Sequence, residues 1–358
     1  MKIPTTNRRA FLKTSALGAA MVAAGGGIRC FGAAPETGSW MTVTGEIHAV
    51  PGDAILPHEH VTTDFIGAEK AAMPRYDRDA AFEKIRPHFE SLRRRGIGML
   101  VECTPAYIGR DVLLLRRLSE ATGVKVLTNT GYYGAVENKF LPRHAWTETS
   151  DQLAVRWLSE WKSGIEGTGI RPGFLKLGTS NGKLPDLHQT LLRAACRVHR
   201  ETGLTIAMHT GDGEAARDEV RVLAEEGLSP SALIWVHAQN DPGPIQVELA
   251  KRGVWISLDG YSLATRNPER YRNFLLSHRD AGTLGRVLLS HDDGWAVDGE
   301  AASGAGLTLF GNGNPSPYAS LFERLLPDGR EAGIAAETWK LLTRTNPAEA
   351  YRIGRRLA

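Results

Sequence analysis

Short apolar runs alternate with amphipathic stretches along most of this chain, and that alternation constrains its fold more than any other feature. Such a pattern is what parallel strands joined by helical crossovers require. Strands are expected at 54–56, 98–103, 125–129, 173–177, 205–208, 232–236, 254–258 and 286–290. Helices are expected between them, at 79–95, 111–121, 150–166, 187–201, 214–226, 244–251 and 269–281, with charges on the outer face. Several end in a glycine stop, as in Thr122-Gly123 and Thr202-Gly203, where the chain leaves the helix through a left-handed residue. Eight such units predict an α/β chain closed as a (β/α)8 TIM barrel. An open doubly wound sheet would normally carry a glycine-rich phosphate loop after its first strand, and this sequence has none. A polar hairpin at 42–50 precedes the barrel, 299–317 reads as a long active-site loop, and a helical region at 335–353 closes the chain.

Residues 1–34 stand apart. Thr6-Asn7-Arg8-Arg9-Ala10-Phe11-Leu12-Lys13 is followed by a small-residue apolar run, which reads as a twin-arginine export signal cleaved near Ala33 or Ala34. The mature protein, 35–358, is then a single barrel domain in the periplasm or outside the cell. The apolar core at 16–24 is short and rich in Ala and Gly, so no stable membrane anchor is expected. A net charge of +3, evenly spread, argues against nucleic acid as a partner and for a small-molecule substrate, with a homodimer left open. Of the three cysteines, Cys30 falls in the signal, and Cys103 and Cys196 are expected as buried free thiols.

Polar residues fall where such a barrel keeps its chemistry, at the C-terminal strand ends. The first strand ends Pro57-His58-Glu59-His60, whose histidines at i and i+2 share one face and can chelate one ion. Lys176 sits inside the apolar run of the fourth strand, where an unpaired ammonium would cost several kcal/mol. Two answers stay open for it: a salt bridge within the barrel, or reaction of its amine with carbon dioxide to an anionic carbamate able to bridge two metals. The fifth strand ends in His209 and the sixth in His237. The eighth leads into His291-Asp292-Asp293, of which Asp292 is taken to face inward, with outer roles for its neighbours. His48, His88, His144, His188, His199 and His278 lie in turns or on helices and are expected to be solvated.

Together His58, His60, Lys176, His209, His237 and Asp292 resemble the ligand set of the phosphotriesterase family in the amidohydrolase superfamily. Gly109-Arg110-Asp111-Val112, the stretch from Gly164 to Arg171, Glu225 to Pro230 and Thr345-Asn346-Pro347-Ala348 resemble that family too. The resemblance implies two divalent metal ions, zinc first among them, bridged by carboxylated Lys176. One ion would be held by His58, His60 and Asp292, the other by His209 and His237, with a bridging hydroxide attacking the substrate and Asp292 taking up its proton.

Two departures bear on substrate. Organophosphate-degrading members carry a proton relay where this chain has Asn240 and, after Asp259, Gly260. Tyr133 stands where the lactone-hydrolysing members also have a tyrosine, and either borders the substrate or packs in its loop. Tyr261, Trp295 and Phe310 are the other expected pocket residues. The leading expectation is a lactone or carboxylic ester hydrolase. The alternatives are an aryldialkylphosphatase and an exported barrel that binds metal or ligand without catalysis.

Overall fold

Every expected apolar run forms a strand in the computed structural model, which describes residues 38–71, 74–241, 243–261, 268–301, 303–311, 314, 316–331 and 333–358. The twin-arginine segment and Cys30 lie outside these residues. The barrel strands are β1 (Ala54–Glu59), β2 (Ile97–Glu102), β3 (Lys125–Leu127, resuming at Asn129–Thr130), β4 (Phe174–Gly178), β5 (Ile206–His209), β6 (Leu233–Val236), β7 (Trp255–Leu258) and β8 (Val287–Leu289). Parallel ladders join each to the next, from β1 through β8. The ring closes between β8 and β1 through His58 N to Ser290 Oγ at 3.1 Å, Asp292 N to His58 O at 3.3 Å and His60 N to Asp293 O at 2.8 Å. Ser290, Asp292 and Asp293 follow β8 directly, so the closing seam runs through the expected site.

Alternation along the strands builds two apolar layers. Ile55, Val101, Leu127, Phe174, Ala207, Ile234 and Leu288 fill the barrel, joined there by Trp40 and Tyr351. Their neighbours Leu56, Leu100, Val126, Leu175, Met208, Trp235 and Leu289 face the helices. Each leucine or isoleucine so buried contributes about 1.5–3 kcal/mol.

The outer helices are α1 (Arg78–Arg94), α2 (Val112–Thr122), α3 (Ser150–Ser163), α4 (Asp186–Thr202), α5 (Gly213–Glu225), α6 (Pro244–Arg252) and α7 (Pro268–Asp280). Side-chain caps set the starts of α1, α2, α3 and α5: Asp77, Asp111 and Asp212 accept from Ala80, Leu114 and Ala215 backbone amides, and Thr149 with Gln152 forms a capping box. Gly203 ends α4 at φ 77°, and a Cβ there would meet the Gly354 backbone nitrogen at 2.7 Å.

The structure corrects several expectations. α3 stops at Ser163 instead of residue 166, because Gly164 turns out of the helix at φ 91°. The N-terminal hairpin pairs Trp40–Thr42 with Gly45–Ile47, a little before the expected 42–50. The long loop after β8 contains structure: Gly294–Val297 pairs antiparallel with Leu307–Phe310 and parallel with Thr62–Thr63. His188, His199 and His278 are buried, not solvated, since each ring finds two polar partners inside the fold. Cys103 and Cys196 are buried free thiols. Among the described residues, no helix is long and apolar enough to cross a membrane.

Candidate metal centre

Simple alternation brings only some of the expected residues into the barrel. Lys176 shares the inward face of Phe174, and His209 that of Ala207, at spacing two. His58 has the parity of Leu56, which packs outward, but a register irregularity between Leu56 and Glu59 resets the strand. His237 follows inward-facing Val236 and would point out; its backbone, at φ 63°, turns it back. Asp292, with φ 62°, is the other centre residue in the left-handed region. Such conformations cost about 1–3 kcal/mol each in a non-glycine residue and persist where the surroundings over-determine them.

The result is a tight cluster. His58 Nε2 and His60 Nε2 lie 3.2 and 3.1 Å from Asp292 Oδ1. Ring centroids are 5.5 Å apart for His58 and His60, 5.1 Å for His58 and His237, and 4.5 Å for His209 and His237. The Lys176 amine stands 5.8 Å from the centroid of the Tyr133 ring, which itself packs 5.0 Å from His209. No carboxylate of the described residues comes within ion-pair distance of that amine. Among the described residues, neither nitrogen of His58 nor Oδ1 of Asp292 has a partner aligned for a good hydrogen bond, although all three atoms are buried. Buried polar atoms left this way are costly, and a cation among them would satisfy all of them at once. His58, His60 and Asp292 are close enough to hold one ion between them.

A model of the phosphotriesterase family matches residues 38–351. The chain belongs to the phosphotriesterase family. A phosphotriesterase homology protein of Escherichia coli (strain K12) is 27% identical over 305 residues, 84% of this chain and 99% of that relative. An aryldialkylphosphatase of Saccharolobus solfataricus is 25% identical over 309 residues, 83% of this chain and 94% of the other. A solved structure of an organophosphate hydrolysis activity engineered from a weak promiscuous lactonase superposes with a TM-score of 0.75 at 31% identity, over 87% of this chain and 99% of that one. Membership makes the chain a hydrolase, and the alternative of a barrel without catalysis falls away. The phosphotriesterase family is binuclear metal-dependent, and the donors gathered here fit that requirement.

Electrostatics agree with this phosphotriesterase-family centre. Burial pulls His58 down to about 4 and His209 well below its usual range, so both offer lone pairs. Burial also lowers the Lys176 amine, against the pull of Cys103 and Asp292. For Asp292, burial works upward, yet His237, His58 and His60 hold the carboxyl well below the ordinary carboxylate range.

Outer partners orient the candidate ligand atoms. Asp259 accepts from His237 Nδ1 at 2.7 Å, leaving Nε2 to face the centre, and from Ser257 Oγ and Gln239 Nε2 at 2.7 and 3.0 Å. His60 Nδ1 lies 2.8 Å from Thr104 Oγ1. Glu59 accepts from Ser290 Oγ, His291 Nδ1, His291 N and Asp293 N at 2.7, 2.7, 3.1 and 3.0 Å, which ties β1 to both sides of Asp292. Sequence reasoning missed Glu59 and Thr104 as positioning residues. Glu59's place between two expected ligands was the available signal.

Above the cluster opens a cavity of about 370 Å³ lined by His60, Lys176, His209, His237 and Asp292, with Phe65, Tyr133, Val136, Phe140 and Phe310 among its other walls. A larger cavity of about 460 Å³ sits around Arg110 and Glu160, away from these donors. Tyr133 and Phe310 thus stand at the mouth of the centre. Tyr261 and Trp295 are elsewhere: both are fully buried, Tyr261 against Tyr271 and Trp295 against His88 and Tyr318, because each packs towards the helical layer. Asn240 ends a short turn and is exposed. A side chain at Gly260 would displace its neighbours, since a Cβ would stand 2.8 Å from Gln239 Nε2 and 3.1 Å from the Tyr271 hydroxyl.

Proposed function

We propose that this chain is an exported, binuclear metal hydrolase of lactones or carboxylic esters. The observation that carries the reading is the environment of Asp259. Gln239 donates to one oxygen and fills the space beside Gly260, and the titratable groups that the carboxylate meets are the two expected ligands, His237 at 2.7 Å and His58 at 3.6 Å. The two positions at which the family resemblance puts a proton relay hold Asn240 and Gly260, neither of which can carry a proton away from the centre. In a lactone the leaving oxygen stays tethered beside the centre, so one carboxylate can serve both proton transfers.

His58, His60 and Asp292 would hold one ion, His209 and His237 the other, and Lys176 both. Lys176 would do so as a carbamate, formed when its neutral amine adds to carbon dioxide and releases a proton; burial favours that neutral form. Imidazole, carboxylate and carbamate donors suit zinc. When bound, two such ions supply an acidified water and a Lewis acid at one place. Asp292 accepts the proton of the attacking water and returns it to the leaving oxygen. Tyr133, whose phenol burial keeps protonated, borders the substrate and can donate to its oxygen. Phe65, Phe140, Val136 and Phe310 exclude water and favour a neutral, apolar substrate. Export rests on Arg8-Arg9 and the apolar run after them.

Purified protein should be screened with lactones of varied ring size and tail, aryl carboxylic esters and an aryl dialkyl phosphate. The reading predicts kcat/KM for the best lactone or ester at least about a hundredfold above that for the phosphate, a gap of nearly 3 kcal/mol. A phosphate turned over faster than every lactone and ester selects the aryldialkylphosphatase instead.

A further inference from the structure

Val136, Glu137 and Asn138 are consecutive non-glycine residues with positive φ, at 58°, 53° and 62°. Single residues visit the left-handed region; successive ones do so rarely, and for a β-branched valine the conformation is a genuine outlier. Strain of this kind lasts only where other contacts enforce it, and it concentrates at functional sites. Here it adjoins the cavity over the metal centre, since Tyr133, Val136, Lys139 and Phe140 all line that cavity.

The turn is held by a histidine that the metal centre does not use. His188, in the first turn of α4, is buried, with Nε2 2.7 Å from Asn138 Oδ1 and Nδ1 2.7 Å from Thr179 Oγ1. An amide oxygen only accepts, so Nε2 carries the proton and Nδ1 accepts from the threonine hydroxyl. Thr179 in turn donates its backbone N–H to His209 O at 2.8 Å, which anchors the clamp to a strand end of the centre. Gly134 makes room for the ring: a Cβ there would stand 2.7 Å from His188 Nε2. Bonds from Lys139 N to Val136 O and from Leu141 N to Asn138 O, at 3.1 and 3.0 Å, complete the turn.

We propose that His188 is a positioning residue that locks 136–138 in this left-handed turn and so shapes one wall of the substrate cavity. Substrate selection then depends on a side chain that never touches the substrate. The inference rests on the proposed reading of that cavity as the substrate site.

Metal-loaded wild type, His188→Ala and Asn138→Ala are to be compared on aryl esters and lactones of increasing chain length, with aryl dialkyl phosphates alongside. Asn138 is half-buried in the turn and outside the apolar core, so its truncation spares that core even if His188→Ala folds poorly. The expected result in both variants is KM for the best substrate raised about tenfold, kcat within about twofold and metal content unchanged. Backbone amide exchange at 134–141, which needs no substrate, should rise about tenfold or more in both. An unchanged KM in Asn138→Ala overturns the inference, whatever exchange shows. A wild type inert toward all esters and lactones overturns the proposed function instead, and the same KM criterion then applies on the phosphates.

Discussion

His58 Nε2 and Asp292 Oδ1 lie 3.2 Å apart inside the barrel, and among the described residues neither has a partner aligned for a good hydrogen bond. His60 Nε2 approaches the same oxygen at 3.1 Å. An unsatisfied buried polar atom costs about 1–3 kcal/mol, so atoms gathered like this are held for something that binds them together. The backbone points the same way, for both His237 and Asp292 sit at positive φ and need their surroundings to keep them there.

Asp292→Asn keeps the size and the oxygen of the side chain but loses its charge and its use as a proton carrier. The variant should retain most of its metal while kcat falls by about 10²–10⁴-fold, measured by steady-state kinetics beside elemental analysis. A near-normal kcat removes Asp292 from proton transfer.

Asp259→Asn takes away the charged acceptor of His237 Nδ1, now at 2.7 Å. The ring loses its fixed orientation, and metal affinity should weaken by about 10–100-fold in competition with a chelator. Unaltered affinity would show that Asp259 does not orient the ligand.

Tyr133→Phe preserves the ring packed against His209 and Phe140 but deletes the hydroxyl. If the phenol contacts substrate, kcat/KM for the best lactone should drop about tenfold, the worth of one hydrogen bond. No change assigns Tyr133 to packing alone.

His199 supplies a test of stability against pH far from the centre. Its Nδ1 donates to Leu204 O at 2.8 Å, its Nε2 accepts from Arg356 N at 2.9 Å, and burial lowers it to about 4. The unfolded chain binds a proton near pH 6.5 that the folded one refuses, so stability is level above that pH and declines as pH falls toward about 4. The slope is at most about 1.4 kcal/mol per pH unit. His199→Gln should lower stability at pH 7 yet show a shallower loss between pH 6.5 and 5 in denaturant titrations. An equal slope would mean that His199 does not carry it.

How much of this was legible follows from what a one-dimensional pattern contains. Strand positions and the convergence of Lys176 and His209 come from alternation, which survives into the fold because the barrel interior and the helical layer both need apolar faces. His58 and His237 reach the same place only through an irregular strand and a left-handed residue, and neither leaves a mark in composition. Tyr261 and Trp295 show the converse: they follow strand ends, yet face the helical layer. The buried histidines escaped notice because their partners, such as Asn138 for His188 and Arg356 for His199, are distant in sequence.

The central claim is that these six side chains grip two cations. Elemental analysis of purified, active protein tests it most directly. The account predicts about two transition-metal ions per chain in the wild type and loss of most of them in Lys176→Ala. A wild type that is metal-free, stable and fully active would contradict it.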